Sequence, residues 1–515
     1  MEDKQLPELM NKNFHAGALT WTDASLWDQF SQHLSASPHS LAIVSPDGQL
    51  WTREDMHKMA CSVAEALRCA GVRAQDRVML QGKKTAATLA AALGVSAVGA
   101  VICPYSPDLG DAERTVLDER LNYIACISDG AGDAIPDMPT LKLSLRSRMQ
   151  LEAPDERDAQ TALIGFTSGT TGIPKGVMHT SAAMNYTVRA CQQVARLAEY
   201  DAILGIVPLG SAPGFTFTAH FSLALGHPLI MIDPWDAAKT LKAIDAYQCR
   251  WGICVPTHLA TLIEYARTKG WKNSSPLKAL GVGGSAMTPE LIQDARSLLG
   301  ITALRMFGMS ECMGHASVAL DDDMERMMHS DGIAFPGTRD EAFDLENQML
   351  PRGQRGQAGV LGPSSFLGYC YGLGEQEYRL TKEGFFLTGD EVIVSADGYL
   401  KVVGRIKDQI IRGGYNIDAA EVEAAVLRHP AIAIAVVVAV PEKRLGEQAC
   451  AVCCIRQGST PPTLDELRAH LTSIGLSKKK WPEYLLIRDE LSYTATGKID
   501  KKKIAKAAIV QLGLI

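Results

Sequence analysis

The chain has 515 residues, of which 46% are hydrophobic and 21% charged, and its formal net charge is −7. This length exceeds what one hydrophobic core supports, so we expect two to four structural units. The composition is typical of a globular protein, and the negative net charge argues against nonspecific binding of nucleic acid.

The N-terminal residues 1–17 have neither the basic start nor the apolar run of a secretory signal, which predicts a cytoplasmic protein. The uncharged stretch 85–107 reaches the length of a membrane span, but it is rich in Ala, Gly, Ser and Thr and ends at prolines. We interpret it as a buried helix followed by a strand. We therefore expect no membrane span.

Twelve cysteines are scattered along the chain, a usage that a reducing compartment permits. The run CAVCC at 450–454 contains the C-x-x-C spacing of some redox and zinc sites. It lies within an apolar run and lacks a second pair at zinc spacing. We predict a buried strand there and assign no metal to it.

The predicted elements begin with a helix over 55–71 and a strand over 77–82. Short apolar runs then alternate with amphipathic segments, which predicts a mostly parallel sheet that binds ligands at the carboxyl ends of its strands. The predicted strands are 161–166, 202–209, 227–233, 250–256, 278–284 and 302–308, with helices over 234–247 and 288–299.

The character of the sequence changes after residue 330, where Gly, Pro and short β-like runs indicate a small barrel or sheet. A further unit begins near residue 405. It is predicted to contain a helix over 418–430, a strand over 432–441 and a second helix within 463–475.

One loop combines little side-chain bulk with many hydrogen-bond donors, directly after the predicted strand 161–166. Its glycines let backbone amides approach phosphate oxygens, and its hydroxyls and lysine add donors. The spacing is not that of a Walker A loop. A surface turn is the alternative to an anion site. The residues are Thr167, Ser168, Gly169, Thr170, Thr171, Gly172 and Lys175.

This motif, TSGTTGIPKG, resembles the phosphate-binding loop of the adenylate-forming superfamily, which includes acyl-CoA synthetases, aryl-acid adenylating enzymes and luciferases. The resemblance continues in matching order almost to the C-terminus. It implies an α/β fold with a large N-terminal domain, residues 1–404, made of two parallel-type αβ subdomains and a small β-barrel. A smaller mobile α+β domain, residues 405–515, would follow a hinge near Lys407.

The segments GVGGSAM and MFGMSE resemble the adenine-binding turn and the motif that follows it in this superfamily. The resemblance implies that Gly284 and Ser285 border the adenine and that Phe307 stacks on it. Ser310 would donate to the α-phosphate and Glu311 would hold Mg²⁺. The family commonly has Tyr and Thr where this chain has Phe307 and Ser310, and these changes keep the ring and the hydroxyl.

Later motifs complete the resemblance. Asp390 would accept hydrogen bonds from the ribose hydroxyls, Arg405 would contact ribose or phosphates, and Gly413 and Gly414 would line a pantetheine tunnel. Lys498, in YTATGKIDK, would be the adenylation lysine. The family's usual Pro and Arg before the Thr of this motif are Ser492 and Tyr493 here.

The implied activity is an AMP-forming acid–thiol ligase that uses ATP, Mg²⁺ and CoA, with Lys498, Glu311 and Arg405 as catalytic residues. The acid is expected to be aliphatic, alicyclic or simple aromatic. Loading of a carrier protein's phosphopantetheine is the alternative, and a nucleotide- or acyl-binding pseudoenzyme is the third hypothesis. The expected acid pocket comprises Ser211, Gly214, Phe215, Gly308, Met309 and Cys312.

Overall fold

The computed structural model describes residues 15–146, 160–167, 175–271, 276–285, 287–370, 380–406, 409–412, 415–494 and 498–514. The chain forms two compact units. The first contains Met1–Arg339 and Val360–Phe386, and the second contains Asp340–Gly359 and Leu387–Ile515. The expected domain boundary between residues 404 and 405 stays a prediction.

The N-terminal third of the chain alternates helices with short strands, as the sequence pattern predicts. Three of its described helices begin at a Ser or Thr cap; Thr52, for example, forms a capping box with Asp55 at the start of the second helix. The elements are β1 His15–Ala16, β2 Leu19–Thr20, α1 Leu26–Ala36, β3 Leu41–Val44, β4 Leu50–Thr52, α2 Arg53–Cys69, β5 Arg77–Gln81, α3 Ala86–Val98, β6 Val101–Tyr105, α4 Asp111–Arg120, β7 Ala125–Ser128, β8 Asp133–Ile135 and β9 Met138–Leu145.

The uncharged segment 85–107 folds as predicted. Most of α3 is buried because it is apolar on nearly every face, and β6 follows it directly. Within the residues that the structure describes, no helix has both the length and the apolar character needed to cross a bilayer.

The middle of the chain continues the alternation. Thr288 caps its helix by accepting from the amide of Leu291, which confirms the predicted start. The elements are β10 Leu163–Thr167, β11 Lys175–His179, α5 Ser181–Val194, β12 Ile203–Gly205, α6 Ala212–Gly214, a π-helix Phe215–His220, α7 Phe221–Leu225, β13 Leu229–Met231, α8 Ala237–Tyr247, β14 Trp251–Cys254, α9 Pro256–Lys269, β15 Ala279–Gly283, α10 Pro289–Asp294, a π-helix Ala295–Leu299, β16 Thr302–Phe307, β17 Ala316–Ser317, α11 Met324–His329 and β18 Gly332–Ala334.

The C-terminal part contains longer strands and fewer helices. Its elements are β19 Arg339–Phe343, β20 Arg355–Leu361, β21 Gly368–Tyr369, β22 Phe386–Val394, β23 Tyr399–Arg405, β24 Gln409–Arg412, β25 Tyr415–Asp418, α12 Ala419–Leu427, β26 Ile432–Glu442, β27 Gly446–Ile455, α13 Leu464–Ser473, a 3₁₀ turn Lys478–Lys480, β28 Tyr484–Arg488 and α14 Lys501–Leu512.

Besides the two-stranded sheet β1-β2, two large sheets organise the described part of the first unit. One has the strand order β21-β11-β10-β6-β5-β7-β9-β8, and the other includes the order β18-β17-β16-β15-β14-β12-β13-β3-β4. The structure differs here from the expectation of one parallel series over 161–308, because β10 joins β6 in the first sheet while β12 to β16 lie in the second. The segment that forms β10 is as apolar as those that form β12 to β16. The sequence pattern therefore does not indicate which sheet each strand joins.

The second unit contains two strand groups. The order β19-β20-β22-β23 forms one, and β25-β24-β27-β26, with β28 paired to β27, forms the other. The cysteines of the C-x-x-C run lie buried on β27, as predicted, and burial raises the pKa of Cys450 and Cys453 to about 12. Thiols that hold their protons this strongly are poor metal ligands and poor nucleophiles.

Candidate active site

The two ends of the glycine-rich loop face each other across an antiparallel hairpin. Thr167 ends β10, Lys175 begins β11, and the two residues are register partners. Since β10 also pairs in parallel with β6, the loop leaves the carboxyl end of a parallel strand, where such sheets bind ligands. Ser168, Gly169, Thr170, Thr171 and Gly172 lie outside the described residues, and their contacts with phosphate stay a prediction.

The predicted adenine-binding residues lie at the carboxyl ends of two neighbouring parallel strands. In the pairing of β15 with β16, Gly283 lies opposite Met306, so the segments after both strands leave the same sheet edge. Gly284 and Ser285 are exposed there, and Phe307 is half-buried. Gly284 has a φ of +88°, in the left-handed region that glycine adopts without strain.

The turn after β16 carries Ser310 and Glu311, and two other segments fix its backbone. The Nε2–H of His179 donates to the carbonyl oxygen of Ser310 at 2.7 Å, and the amide of Phe366 donates to that of Glu311 at 2.8 Å. Burial lowers the pKa of His179 to about 4, so its imidazole is neutral at pH 7. These two bonds hold the backbone of the turn and do not involve the side chains of Ser310 and Glu311.

The side chains of Lys175 and Glu311 meet at one aromatic ring. The hydroxyl of Tyr369 donates to Glu311 Oε1 at 2.7 Å, and Lys175 Nζ lies 5.0 Å from the centre of the same ring. A cation at this distance over a ring face is attracted by the ring's quadrupole. The structure thus brings the lysine of the loop and the predicted Mg²⁺ ligand to one place.

Asp390 and Arg405 form an ion pair in the second unit. They are opposite each other on β22 and β23, and Arg405 Nε donates to Asp390 Oδ1 at 2.6 Å. The side chain of Asp390 is only 6% exposed, whereas that of Arg405 is 57% exposed. A carboxylate so deeply placed needs a cationic partner, and the arginine provides it.

Lys498 lies on a tight hairpin near the C-terminus. Its amide donates to Thr494 Oγ1 at 3.2 Å, the amide of Thr494 donates to the carbonyl of Lys498 at 2.7 Å, and Tyr493 bridges to Ile499. The residue itself is exposed. The predicted hinge residue Lys407 and the predicted tunnel glycines Gly413 and Gly414 lie outside the described residues, and their roles stay predictions.

The residues of the expected acid pocket fall into two packed groups. Ser211 caps the helix that begins at Ala212 by accepting from the amide of Gly214, and Phe215 is buried in the main core. Met309 and Cys312 instead pack in a separate cluster with residues of β11 and β21.

A close approach beside Gly308 connects these two regions. A Cβ added at Gly308 would lie 2.5 Å from the amide nitrogen of Gly314, and one added at Gly314 would lie 2.8 Å from the ring of Phe217. Phe217 belongs to the π-helix that follows Phe215. The assignment of the acid pocket stays a prediction.

Two residues of this site were not predicted from the sequence. His179 ends an apolar strand and Tyr369 stands in a short β-like run, and buried histidines and tyrosines in such places usually serve packing. No local motif signals that the imidazole reaches residue 310 or that the phenol reaches residue 311. Those contacts depend on which strands lie side by side.

The profile of the AMP-binding enzyme family matches residues 30–370, which is more than half of the chain. The chain belongs to the AMP-binding enzymes. A second profile, that of the AMP-binding enzyme C-terminal domain, matches residues 421–498 of this AMP-binding enzyme. The predicted superfamily is thereby confirmed.

Full-length relatives agree with this assignment. The enzyme is 29% identical to the medium-chain fatty-acid–CoA ligase of Escherichia coli (strain K12), with 94% of this chain and 91% of that protein covered. It is 28% identical to a feruloyl-CoA synthase of Amycolatopsis sp (91% and 96% covered). It is 26% identical to the vibriobactin-specific 2,3-dihydroxybenzoate-AMP ligase of Vibrio cholerae serotype O1 (strain ATCC 39315 / El Tor Inaba N16961), with 94% of each chain covered.

A solved structure shares the fold. The crystal structure of ATP-bound MatB from Rhodopseudomonas palustris superposes with a TM-score of 0.80 at 23% identity, covering 94% of this chain and 99% of that one. The predicted fold class, a mixed α/β enzyme with a large N-terminal and a smaller C-terminal domain, is confirmed. The family and the full-length relatives also confirm the predicted enzyme class, an AMP-forming acid–thiol ligase.

Proposed function

We propose that this AMP-binding enzyme joins a carboxylic acid to coenzyme A through an acyl adenylate, releasing pyrophosphate and AMP. The observation that carries the proposal is the convergence of Lys175 and Glu311 on Tyr369, beside the hairpin of the glycine-rich loop. An ammonium and a carboxylate in one place suit a bound triphosphate and its divalent cation.

Glu311 suits a Mg²⁺ ion that is held mostly by phosphate and water. Such ions take one or two protein carboxylates, and the side chain of Glu311 offers a second oxygen beyond the one bonded to Tyr369. Bound Mg²⁺ would supply charge neutralisation on the phosphates. Lys175 and the amides of the loop would bind the same phosphates, and Phe307, Gly284 and Ser285 would bind the adenine.

In the first proposed step a carboxylate oxygen of the acid attacks the α-phosphorus of ATP. The bond from that phosphorus to the β-phosphate's bridging oxygen breaks, and pyrophosphate leaves with the electron pair. Lys498 would contact the carboxylate and the α-phosphate and neutralise developing charge, while Ser310 donates to the same phosphate. Asp390 would hold the ribose hydroxyls, supported by Arg405.

In the second proposed step the thiol of CoA loses its proton and attacks the acyl carbon. The bond from the acyl carbon to the phosphate oxygen breaks, AMP leaves with that oxygen, and the thioester forms. This step would use Gly413 and Gly414 as a passage for pantetheine after rotation at Lys407. The relatives named for CoA products, at 29% and 28% identity, support CoA as the acceptor.

The acid is proposed to be aliphatic, alicyclic or simple aromatic. One full-length relative is named for a medium-chain fatty acid and another for ferulate, so both classes belong in the test. The alternative acceptor is the phosphopantetheine of a carrier protein. Its support is the full-length similarity to a protein named as an AMP ligase for an aryl acid.

The test is pyrophosphate release from ATP across a panel of fatty, alicyclic and aromatic acids, with and without CoA. We expect acid-dependent release that CoA stimulates and that Lys498→Ala abolishes. Adenylate formation with no turnover on CoA would favour the carrier-protein alternative. Absence of any acid-dependent signal from the wild-type enzyme would overturn the proposal.

A further inference from the structure

We propose that Tyr369 is the residue that positions both charged groups of the phosphate site, orienting Glu311 through its hydroxyl and holding Lys175 over its ring. The inference rests on the proposed function, since it assigns those two charges to Mg²⁺ and ATP. Tyr369 itself would touch neither, and its role is to fix the groups that do.

The strand pairing fixes where this ring lies. β21 pairs antiparallel with β11, and Tyr369 is opposite Val177, two residues along from Lys175. Residues two apart on a strand point to the same face, so the lysine and the side chain opposite Val177 share a face of the sheet. This register explains how the ammonium comes to lie over the ring.

Packing also fixes the orientation of the ring. Tyr369 is only 4% exposed, and Phe366 meets it edge to face with ring centres 5.1 Å apart. Phe366 in turn packs against Phe386 in the same geometry, at 5.2 Å. A ring held this tightly presents its hydroxyl to Glu311 without further loss of side-chain entropy.

The two contacts have separate consequences. The hydroxyl donates to Glu311 Oε1, and this bond would fix the rotation of the carboxylate and leave its other oxygen for a ligand. Partners of this kind, behind a metal ligand, commonly change metal affinity tenfold or more. The ring attracts the ammonium of Lys175 independently of the hydroxyl.

Two substitutions separate these contacts. Tyr369→Phe removes the hydroxyl that bonds Glu311 and keeps the ring under Lys175, so it should disturb Glu311 and leave the contact with Lys175 in place. Tyr369→Leu removes both contacts. The matched control is Tyr123→Phe, because the Tyr123 hydroxyl also donates to a carboxylate, that of Asp118, and its ring also carries a cation, the guanidinium of Arg146 at 4.7 Å.

The first measurement is the dissociation constant of ATP by calorimetry, with and without Mg²⁺. The second is a titration with Mn²⁺ at fixed ATP, in which electron paramagnetic resonance gives the Mn²⁺ concentration at half-saturation of the enzyme. Tyr369→Phe should weaken metal-dependent binding roughly tenfold and leave metal-free ATP binding nearly unchanged. Tyr369→Leu should weaken both. Tyr123→Phe should leave both at the wild-type values.

The outcomes distinguish this inference from the proposed function. Wild-type enzyme that binds no Mg·ATP would overturn the proposed function and this inference with it. Wild-type binding that Tyr369→Phe leaves unchanged would overturn the inference and leave the proposed function standing. Equal weakening by Tyr369→Phe and Tyr123→Phe would show a general effect of losing a buried hydroxyl and would also overturn it.

Discussion

Lys498 is the residue on which the proposed chemistry depends most, and its hairpin presents it exposed. The sequence could predict this residue only through the order of motifs, since a lysine in a polar loop is usually just solvated. Its hydrogen bonds with Thr494 and the neighbouring bridge between Tyr493 and Ile499 follow from the structure. For Asp390 too, the role comes from a motif and the contact from the structure. The motif predicts that Asp390 binds the ribose hydroxyls, and the structure shows its ion pair with Arg405.

Lys498→Ala should reduce acid-dependent pyrophosphate release at least roughly a hundredfold, because one lost electrostatic contact with the transition state costs about 3 kcal/mol. The change should leave the conversion of supplied acyl adenylate to thioester nearly intact. Lys503→Ala, an exposed lysine on the following helix α14, is the control and should behave as wild type. Adenylation at the wild-type rate in Lys498→Ala would refute the assigned role.

Asp390→Asn should raise the KM for ATP roughly tenfold or more, because a charged acceptor for the ribose hydroxyls becomes a neutral amide and Arg405 loses its ionic partner. Steady-state kinetics with varied ATP checks this. Asp397→Asn changes an exposed aspartate in the turn that connects β22 with β23 and is the matched control. Equal KM values for the two variants would contradict the role of Asp390.

Most elements could be predicted from hydrophobic periodicity and capping residues. α10 begins at the predicted Thr288 cap, and β12 to β16 lie within the predicted strands. The choice of sheet for β10 could not be predicted, because parallel strands in different sheets have the same apolar pattern. The contact of Tyr369 with Glu311 has the same origin, since it depends on the pairing of β21 with β11.

The proposed hinge connects β23 to β24. Lys407→Pro should slow thioester formation more than adenylation, since proline fixes φ near −65° and opposes rotation of the linker. Lys407→Ala removes the same side chain, keeps the backbone free and serves as the control. Each half-reaction is measured separately in single turnover. Equal loss in both half-reactions for Lys407→Pro would contradict a hinge at this position.

Two buried histidines, His179 and His220, contribute to the pH dependence of the protein's stability. Burial lowers the pKa of His179 to about 4 and that of His220 to about 3, whereas the pKa of an unfolded histidine is about 6.5. Below pH ~6.5 the unfolded chain takes up protons that the folded chain does not, so the free energy of unfolding falls until the pH reaches the folded pKa. Above pH ~6.5, the pKa of the unfolded chain's histidines, this contribution to the free energy of unfolding is fully present.

In urea denaturation, His179 and His220 should therefore each make the free energy of unfolding about 2 kcal/mol lower at pH 5 than at pH 7.5. His220→Gln should reduce this difference, because its amide can still donate to Asn185 Oδ1 but does not titrate. His39→Gln, at a side chain 82% exposed, should leave the difference unchanged. An unaltered difference in His220→Gln would contradict this explanation.

The most direct test of the central claim follows an oxygen atom through the reaction. An acid labelled with ¹⁸O in its carboxylate is converted with ATP and CoA, and the products are analysed by mass spectrometry. Attack of the carboxylate on the α-phosphorus predicts AMP that carries one ¹⁸O, together with unlabelled pyrophosphate. Formation of ADP with the label in inorganic phosphate, or thioester formation without transfer of label to AMP, would contradict the acyl-adenylate mechanism.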